Sequence, residues 1–258
     1  MDLGLRGKRV LVTGGSKGIG RACAAALAAE GCSVAIAARD AGALESVAAE
    51  IRSRHGAEVA CKPLDLAQPG AAETLAEWAG ELDILVNNAG AIPGGDLLKV
   101  DEATWRRAWD LKVFGYINLT RQVYGRMKDA GRGVVLNIIG AAGEKMDASY
   151  VAGSTANAGL MAFTRALGGA SHADGIRVLG INPGPVSTDR LTSLYRQRAE
   201  ARLGDPGRYR ELFAGMSFGR PATPEEIAWA AAFLVSERSA YTSGCILTID
   251  GGAAARSG

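Results

Sequence analysis

Apolar positions along the chain gather into short unbroken runs, separated by longer segments in which they recur every three or four residues. The runs are RVLVT (9–13), SVAIAA (33–38), EVACKPL (58–64), DILVNN (83–88), GVVLNII (133–139), IRVLGINP (176–183) and CILTID (245–250). Continuous rather than alternating apolarity is what a strand needs when both of its faces are buried, and segments of ten or more residues between strands have the length of crossover helices. Seven such strands alternating with helices predict an α/β fold, a doubly wound parallel sheet flanked by helices on both faces.

The rhythm breaks once, over TDRLTSLYRQRAEARLGDPGRYRELFAGMSFGR (188–220), where two short helix-like pieces surround GDPG. No repeat or low-complexity linker divides the chain. Residues 1–258 are therefore expected to form one domain, with a lid inserted at about 188–220 over the carboxyl edge of the sheet, where ligands of such sheets bind.

Composition narrows the partner. The chain has 258 residues, 48% of them hydrophobic and 22% charged, with 29 basic against 27 acidic residues and a net charge of +2. Disorder and fibrous structure are excluded, and no basic face for nucleic acid or polybasic anchor for a membrane is expected, which leaves a small-molecule substrate. Cys23, Cys32, Cys61 and Cys245 have no metal-binding spacing and fall in predicted helix or strand, so no metal is expected. The N-terminal MDLGLRGKRVLVTGG runs straight into a strand without a signal-peptide pattern, which predicts a cytoplasmic protein.

TGGSKGIG (13–20) follows the first strand and opens a helix, the context a dinucleotide-binding glycine loop requires. Gly14 permits the tight turn. Gly18 and Gly20 let backbone and helix approach a pyrophosphate, which the free N–H groups of the helix start would hold. With Asp65 in PLDL, Asn87-Asn88-Ala89-Gly90, the segment Asn182-Pro183-Gly184-Pro185-Val186-Ser187-Thr188 and the closing Asp250-Gly251-Gly252, this loop resembles the classical short-chain dehydrogenase/reductase family almost end to end. The resemblance implies a Rossmann-like fold. It also implies cofactor contacts from Gly14, Ser16, Lys17, Gly18, Ile19 and Gly20, from Asp65 and Leu66 beside the adenine, from Asn88, Ala89 and Gly90, and from Pro183, Gly184, Val186 and Thr188 at the nicotinamide. The second strand ends in Ala37-Ala38-Arg39, with no carboxylate for a ribose 2′-hydroxyl. Arg39 and Lys17 favour the 2′-phosphate of NADP(H), while neighbouring Asp40 keeps NAD(H) as the alternative.

The family moves its proton with a tyrosine, a lysine four residues later, a serine and an asparagine. NIIGAAG (137–143) and LMAFTRAL (160–167) resemble the segments that flank this machinery and set its register. In that register Gly140 replaces the serine, Gly153 the tyrosine and Asn157 the lysine, and Lys112 stands at the asparagine position. Tyr150 lies one helical turn before Gly153 on the same face, so its hydroxyl could lean into the space the glycines open, with Lys112 supplying positive charge and Asn157 two turns below. The competing reading is that Tyr150 only packs the helix start. His55 and His172 are expected at helix ends, and Glu144 and Lys145 in a loop where they could face substrate but rank below Tyr150. The arginines of 188–220, among them Arg190, are expected in water, with attraction of an anionic substrate such as a carboxylate or acyl-CoA as the alternative.

These residues predict an NADP(H)-dependent oxidoreductase for a small to medium carbonyl or alcohol, with Tyr150, Lys112 and Asn157 as non-standard proton-transfer residues. A lyase, isomerase or cyclase on the same fold, or a non-catalytic NADP(H)-binding protein, are the alternatives. The segments AWDLKVFGYINLTRQVYGRM and SYVAGSTANAGLMAFTRAL are apolar or small around much of their circumference. Relatives bury such helices in a dimer interface, so a homodimer or homotetramer is expected.

Overall fold

The structure, a computed structural model, describes residues 1–256. Its strands are β1 (Arg9–Thr13), β2 (Ser33–Ala38), β3 (Val59–Pro63), β4 (Ile84–Asn87), β5 (Gly133–Ile138), β6 (Ile176–Pro183) and β7 (Ile246–Ile249). All pair in parallel, in the order β3-β2-β1-β4-β5-β6-β7. The helices are α1 (Gly18–Ala29), α2 (Ala41–His55), α3 (Ala71–Ala79), α4 (Glu102–Trp109), α5 (Gly115–Asp129), α6 (Val151–Ala170), α7 (Asp189–Leu203) and α8 (Pro224–Val235). Among the described residues no helix is long and apolar enough to cross a membrane.

The unbroken apolar runs have the cause the pattern implied. Along β1, Val10 and Val12 face the layer of α1, α2 and α8, where they meet Leu27, Leu44 and Ile227, while Leu11 between them faces α3 and α5 with Leu75 and Leu119. In β4, Ile84 and Val86 take the first face and Leu85 the second. Each fully buried side chain of this size contributes about 1.5–3 kcal/mol, so a polar residue on either face of these strands is strongly selected against.

Two polar features interrupt the core near the carboxyl ends of the central strands. Asn87 and Asn137, partners in the β4–β5 register, are buried and joined by a 2.9 Å hydrogen bond. Asn87 Nδ2 also donates to Thr120 of α5, and Asn137 Nδ2 to Thr164 of α6. This ladder ties the strands to the two helices that carry the candidate catalytic positions. The second feature is a π-helical turn, Asp110–Phe114, which joins α4 to α5 without a break. Such turns insert an extra residue into a helix and recur at functional sites. Lys112 sits on it.

The insertion differs from expectation. Its first part is one 15-residue helix, α7, capped by Thr188 and ended by Gly204 in the left-handed conformation. A 3-10 run, Pro206–Gly215, follows and folds back so that Phe213 meets the edges of Tyr195 and Tyr209.

Candidate active site

Sheet order reverses between β1 and β4, and the crevice at their carboxyl ends is built from backbone. The Thr13 hydroxyl accepts from the N–H groups of Asn88 (2.9 Å) and Ala89 (3.0 Å), and Asn88 Nδ2 donates to the carbonyls of Thr13 (2.9 Å) and Gly14 (3.3 Å). The glycine loop and the Asn-Asn-Ala-Gly segment are thereby locked together. A Cβ on Gly14, whose φ is +67°, would lie 2.8 Å from Asn88 Nδ2, and one on Gly20 would lie 2.3 Å from the Gly14 carbonyl oxygen. Opposite, the Thr188 methyl would sit 3.2 Å from a Cβ on Gly18. Lys17 caps α1 without a side-chain hydrogen bond, leaving the helix's first N–H groups free for an anion. This bare cradle fits a dinucleotide pyrophosphate. Gly20→Ala is expected to cost about 1–3 kcal/mol through overpacking against backbone. Urea unfolding would show a lower midpoint, and thermal stabilisation by a nicotinamide dinucleotide would be lost.

Lys17 and Arg39 are exposed and form no ion pair among the described residues. Asp40 Oδ1 accepts from the Ala43 N–H (3.0 Å) and caps α2. Asp65 accepts from the Ala67 N–H, while the Leu66 side chain is buried against Gly115. Ser16 and Ile19 are half-buried in the loop and the first turn of α1. Pro183 ends β6, Gly184 donates to the Ile249 carbonyl, and Val186 is buried in a bridge to Ala222. At Gly184 a Cβ would meet Asp250 at 2.7 Å.

At the catalytic end, the spaces left by the two glycines are filled by their neighbours. Gly140 has φ +143°, a backbone conformation unfavourable to serine, and a Cβ there would lie 2.8 Å from Asn157 Nδ2. Asn157 is buried, and its Oδ1 has no partner among the described residues. Tyr150 is not on the helix face as expected. It immediately precedes α6 with φ −140° and ψ 40°, because its N–H turns back to Asp147, and its ring folds over Gly153. A Cβ on Gly153 would lie 2.0 Å from Tyr150 Cε1 and Cζ. Tyr150 thus leans into the opened space and also packs the helix start, against the cluster of Ile92, Trp105 and Trp109.

Lys112 reaches the same place from the π turn. Its stem crosses Gly90, where a Cβ would lie 3.0 Å from Lys112 Cδ, and its ammonium donates at 2.5 Å to the Ile139 carbonyl, one residue before Gly140. Burial, reinforced by the Arg190 guanidinium, pushes Lys112 down to about 7. No carboxylate pairs with it among the described residues. In the unfolded chain the amine stays protonated up to its ordinary value of 10.5. The folding penalty is therefore complete below pH 7 and fades as pH rises from 7 towards 10.5. Lys112→Met is expected to stabilise the protein by about 2 kcal/mol below pH 7, an advantage that closes in alkaline denaturation series.

Arg190 is exposed, as expected of the lid arginines, but it is also tethered. The second residue of α7, it donates through Nη2 to the Ile92 carbonyl and, at 3.4 Å, to the Tyr150 hydroxyl, contacts that sequence reasoning did not foresee. Glu144 is also more engaged than a loop charge. It accepts from Asn182 Nδ2 (3.1 Å) and the Thr248 hydroxyl (2.8 Å), and Asn182 Oδ1 accepts from the Gly140 N–H (3.3 Å). Lys145 reaches only the Ala253 carbonyl at the surface, and His55 and His172 lie at helix ends. Among the described residues no His, Cys, Asp or Glu cluster could hold a metal, and all four cysteines are free.

The same architecture is found in known proteins. Residues 8–199 match the family model for short chain dehydrogenases. The 7alpha-hydroxysteroid dehydrogenase of Escherichia coli (strain K12) is 33% identical over 255 residues, covering 97% of this chain and 96% of that protein. The crystal structure of L-sorbose reductase from Gluconobacter frateurii, complexed with NADPH and L-sorbose, superposes with a TM-score of 0.91 at 29% identity over 100% of both chains. A 7 alpha-hydroxysteroid dehydrogenase complexed with NADH and 7-oxo glycochenodeoxycholic acid gives 0.86 at 30% identity, covering 97% and 96%. With matching sequence motifs, sheet order and glycine cradle, this chain belongs to the short chain dehydrogenase family.

Proposed function

We propose that this protein is an NADP(H)-dependent oxidoreductase that reduces a small to medium carbonyl, with Lys112 as its proton donor. The observation that carries the reading is the Lys112 ammonium at the end of β5, held by the Ile139 carbonyl one residue before Gly140 with its stem across Gly90, where burial lowers its affinity for the proton. The cradle supports a nicotinamide dinucleotide, as in the NADPH and NADH complexes of its structural relatives. Unpaired Lys17 and Arg39 beside an Asp40 engaged in capping support NADP(H) over NAD(H).

A reduced nicotinamide bound there supplies a hydride to the carbonyl carbon. The chain's own residues must then serve the carbonyl oxygen, which gains negative charge and needs a proton. An ammonium with pKa near 7 is suited to this, being protonated at working pH yet a willing donor. Asn157 packs over Gly140 and Glu144 braces it through Asn182, so both are positioning residues. The Tyr150 hydroxyl, held by Arg190, faces the substrate as a second donor, and the segment 188–220 acts as the lid. Outward positions on α6 are small, including Thr155, Gly159, Ala162 and Ala166, which supports a homodimer or homotetramer through that helix, although outward positions on α5 are polar.

The test is incubation with 4-deuterated NADPH and a panel of aldehydes, ketones and oxo acids. Deuterium is expected in an alcohol product, with equivalent NADP+. Substrate conversion without cofactor oxidation would favour a lyase or isomerase, and NADPH binding without turnover across the panel would favour a binding protein.

A further inference from the structure

Beside Lys112 the site presents hydrogen-bond donors that have no protein acceptor among the described residues. Arg190 uses Nη2 alone in its two hydrogen bonds, to Ile92 and Tyr150, so Nη1 and Nε have no partner among the described residues. The Tyr150 hydroxyl accepts from Arg190 and has no acceptor of its own among the described residues. Lys112 spends one of its three N–H groups on Ile139. Asp147, three residues before Tyr150, is engaged with Ser149, and Glu144 with Asn182 and Thr248, while Asp189 beside Arg190 and Asp110 near Lys112 form no ion pair among the described residues. Arg190 is exposed, so water serves it in the free protein, but a ligand that displaces that water beside Lys112 is favoured if it brings negative charge.

Resting on the reduction reading above, we infer that the substrate is an oxo acid whose carboxylate is held by the Arg190 guanidinium and the Tyr150 hydroxyl, with its carbonyl oxygen at Lys112. The planar guanidinium fork matches a carboxylate, and tethering Nη2 to the Ile92 carbonyl fixes the fork's orientation. With Lys112 assigned to the carbonyl, Arg190 offers a single positive charge, which balances a carboxylate monoanion better than a phosphate dianion. Trp105, Trp109 and Ile92, packed behind Tyr150, hold the ring that carries the hydroxyl. The lid helix thus supplies a substrate contact.

The test measures binding to the full chain in the presence of NADP+ and, separately, NAD+, so that no turnover occurs. The probes are acetoacetate and levulinate, each against its methyl ester, with dihydroxyacetone phosphate as a phosphate control. At least one acid is expected to bind about 10–100-fold more tightly than its ester. The preference should fall to near one in Arg190→Gln, survive in part in Arg190→Lys, and persist in Arg202→Gln, which removes an exposed charge elsewhere on α7. The inference is overturned if neither acid outbinds its ester, if the preference survives Arg190→Gln, or if the phosphate outbinds both acids. NADPH oxidation with the same compounds separates the two readings. Arg190-dependent acid binding without NADPH oxidation leaves the anion site standing and removes the reductase, whereas equal reduction of acid and ester does the reverse.

Discussion

Lys112→Met is expected to lower kcat for carbonyl reduction by about 10²–10⁴-fold, the range for removing a positioned acid. Methionine keeps the unbranched stem that crosses Gly90 and takes away only the proton and the charge. NADPH binding should therefore persist, which separates this variant from one that damages the cradle. The wild-type rate should fall as pH rises through about 7, where the ammonium deprotonates, and the residual rate of Lys112→Met should lack that inflection. Lys112→Arg retains positive charge but cannot release a proton near neutrality, so it should resemble methionine in kcat. A Lys112→Met enzyme with undiminished kcat and an unchanged pH profile would remove Lys112 from the chemistry and return attention to Tyr150. Because the same substitution should stabilise the fold, a lower rate could not be attributed to unfolding.

Exchanging the charges at the adenine end is expected to reverse cofactor choice. In Lys17→Ser combined with Arg39→Asp, two charge-assisted donors are lost and a carboxylate is placed at the end of β2, next to the capping Asp40. The ratio of kcat/KM with NADPH to that with NADH should fall by about 10²–10⁴-fold, most of it in KM for NADPH. A ratio that stays constant would mean that both cations are solvated and that neither meets a 2′-phosphate. The Gly20→Ala variant provides the contrast, since closing the cradle should weaken both cofactors together.

Much of this architecture is legible in the sequence because its determinants are local or strictly periodic. A strand buried on two faces announces itself as an unbroken apolar run, and Val10, Leu11 and Val12 show both faces in three residues. The glycine cradle is legible because no other residue satisfies Gly14 or Gly20 sterically, whatever lies nearby. The flanking segments set a register that puts Gly140, Gly153 and Asn157 at the family's serine, tyrosine and lysine positions. The surroundings of those residues were not legible. Tyr150 turns out of the helix through a backbone contact to Asp147, which no helical spacing encodes. Arg190 meets Tyr150 across 40 residues of chain, and the π turn that presents Lys112 leaves no distinctive composition in DLKVF. Glu144 was read as a loop charge because its partners, Asn182 and Thr248, come from two later strands.

The filling of the two glycine sites bears on how this site can change. A serine introduced at 140 meets the Asn157 amide and a backbone angle it tolerates poorly, and any side chain at 153 meets the Tyr150 ring. Each residue that the family pattern would put at these positions is therefore opposed by a neighbour in the present arrangement. Single substitutions towards that pattern should each destabilise the fold, whereas a combined change that also moves Asn157 and Tyr150 need not, which is sign epistasis imposed by packing.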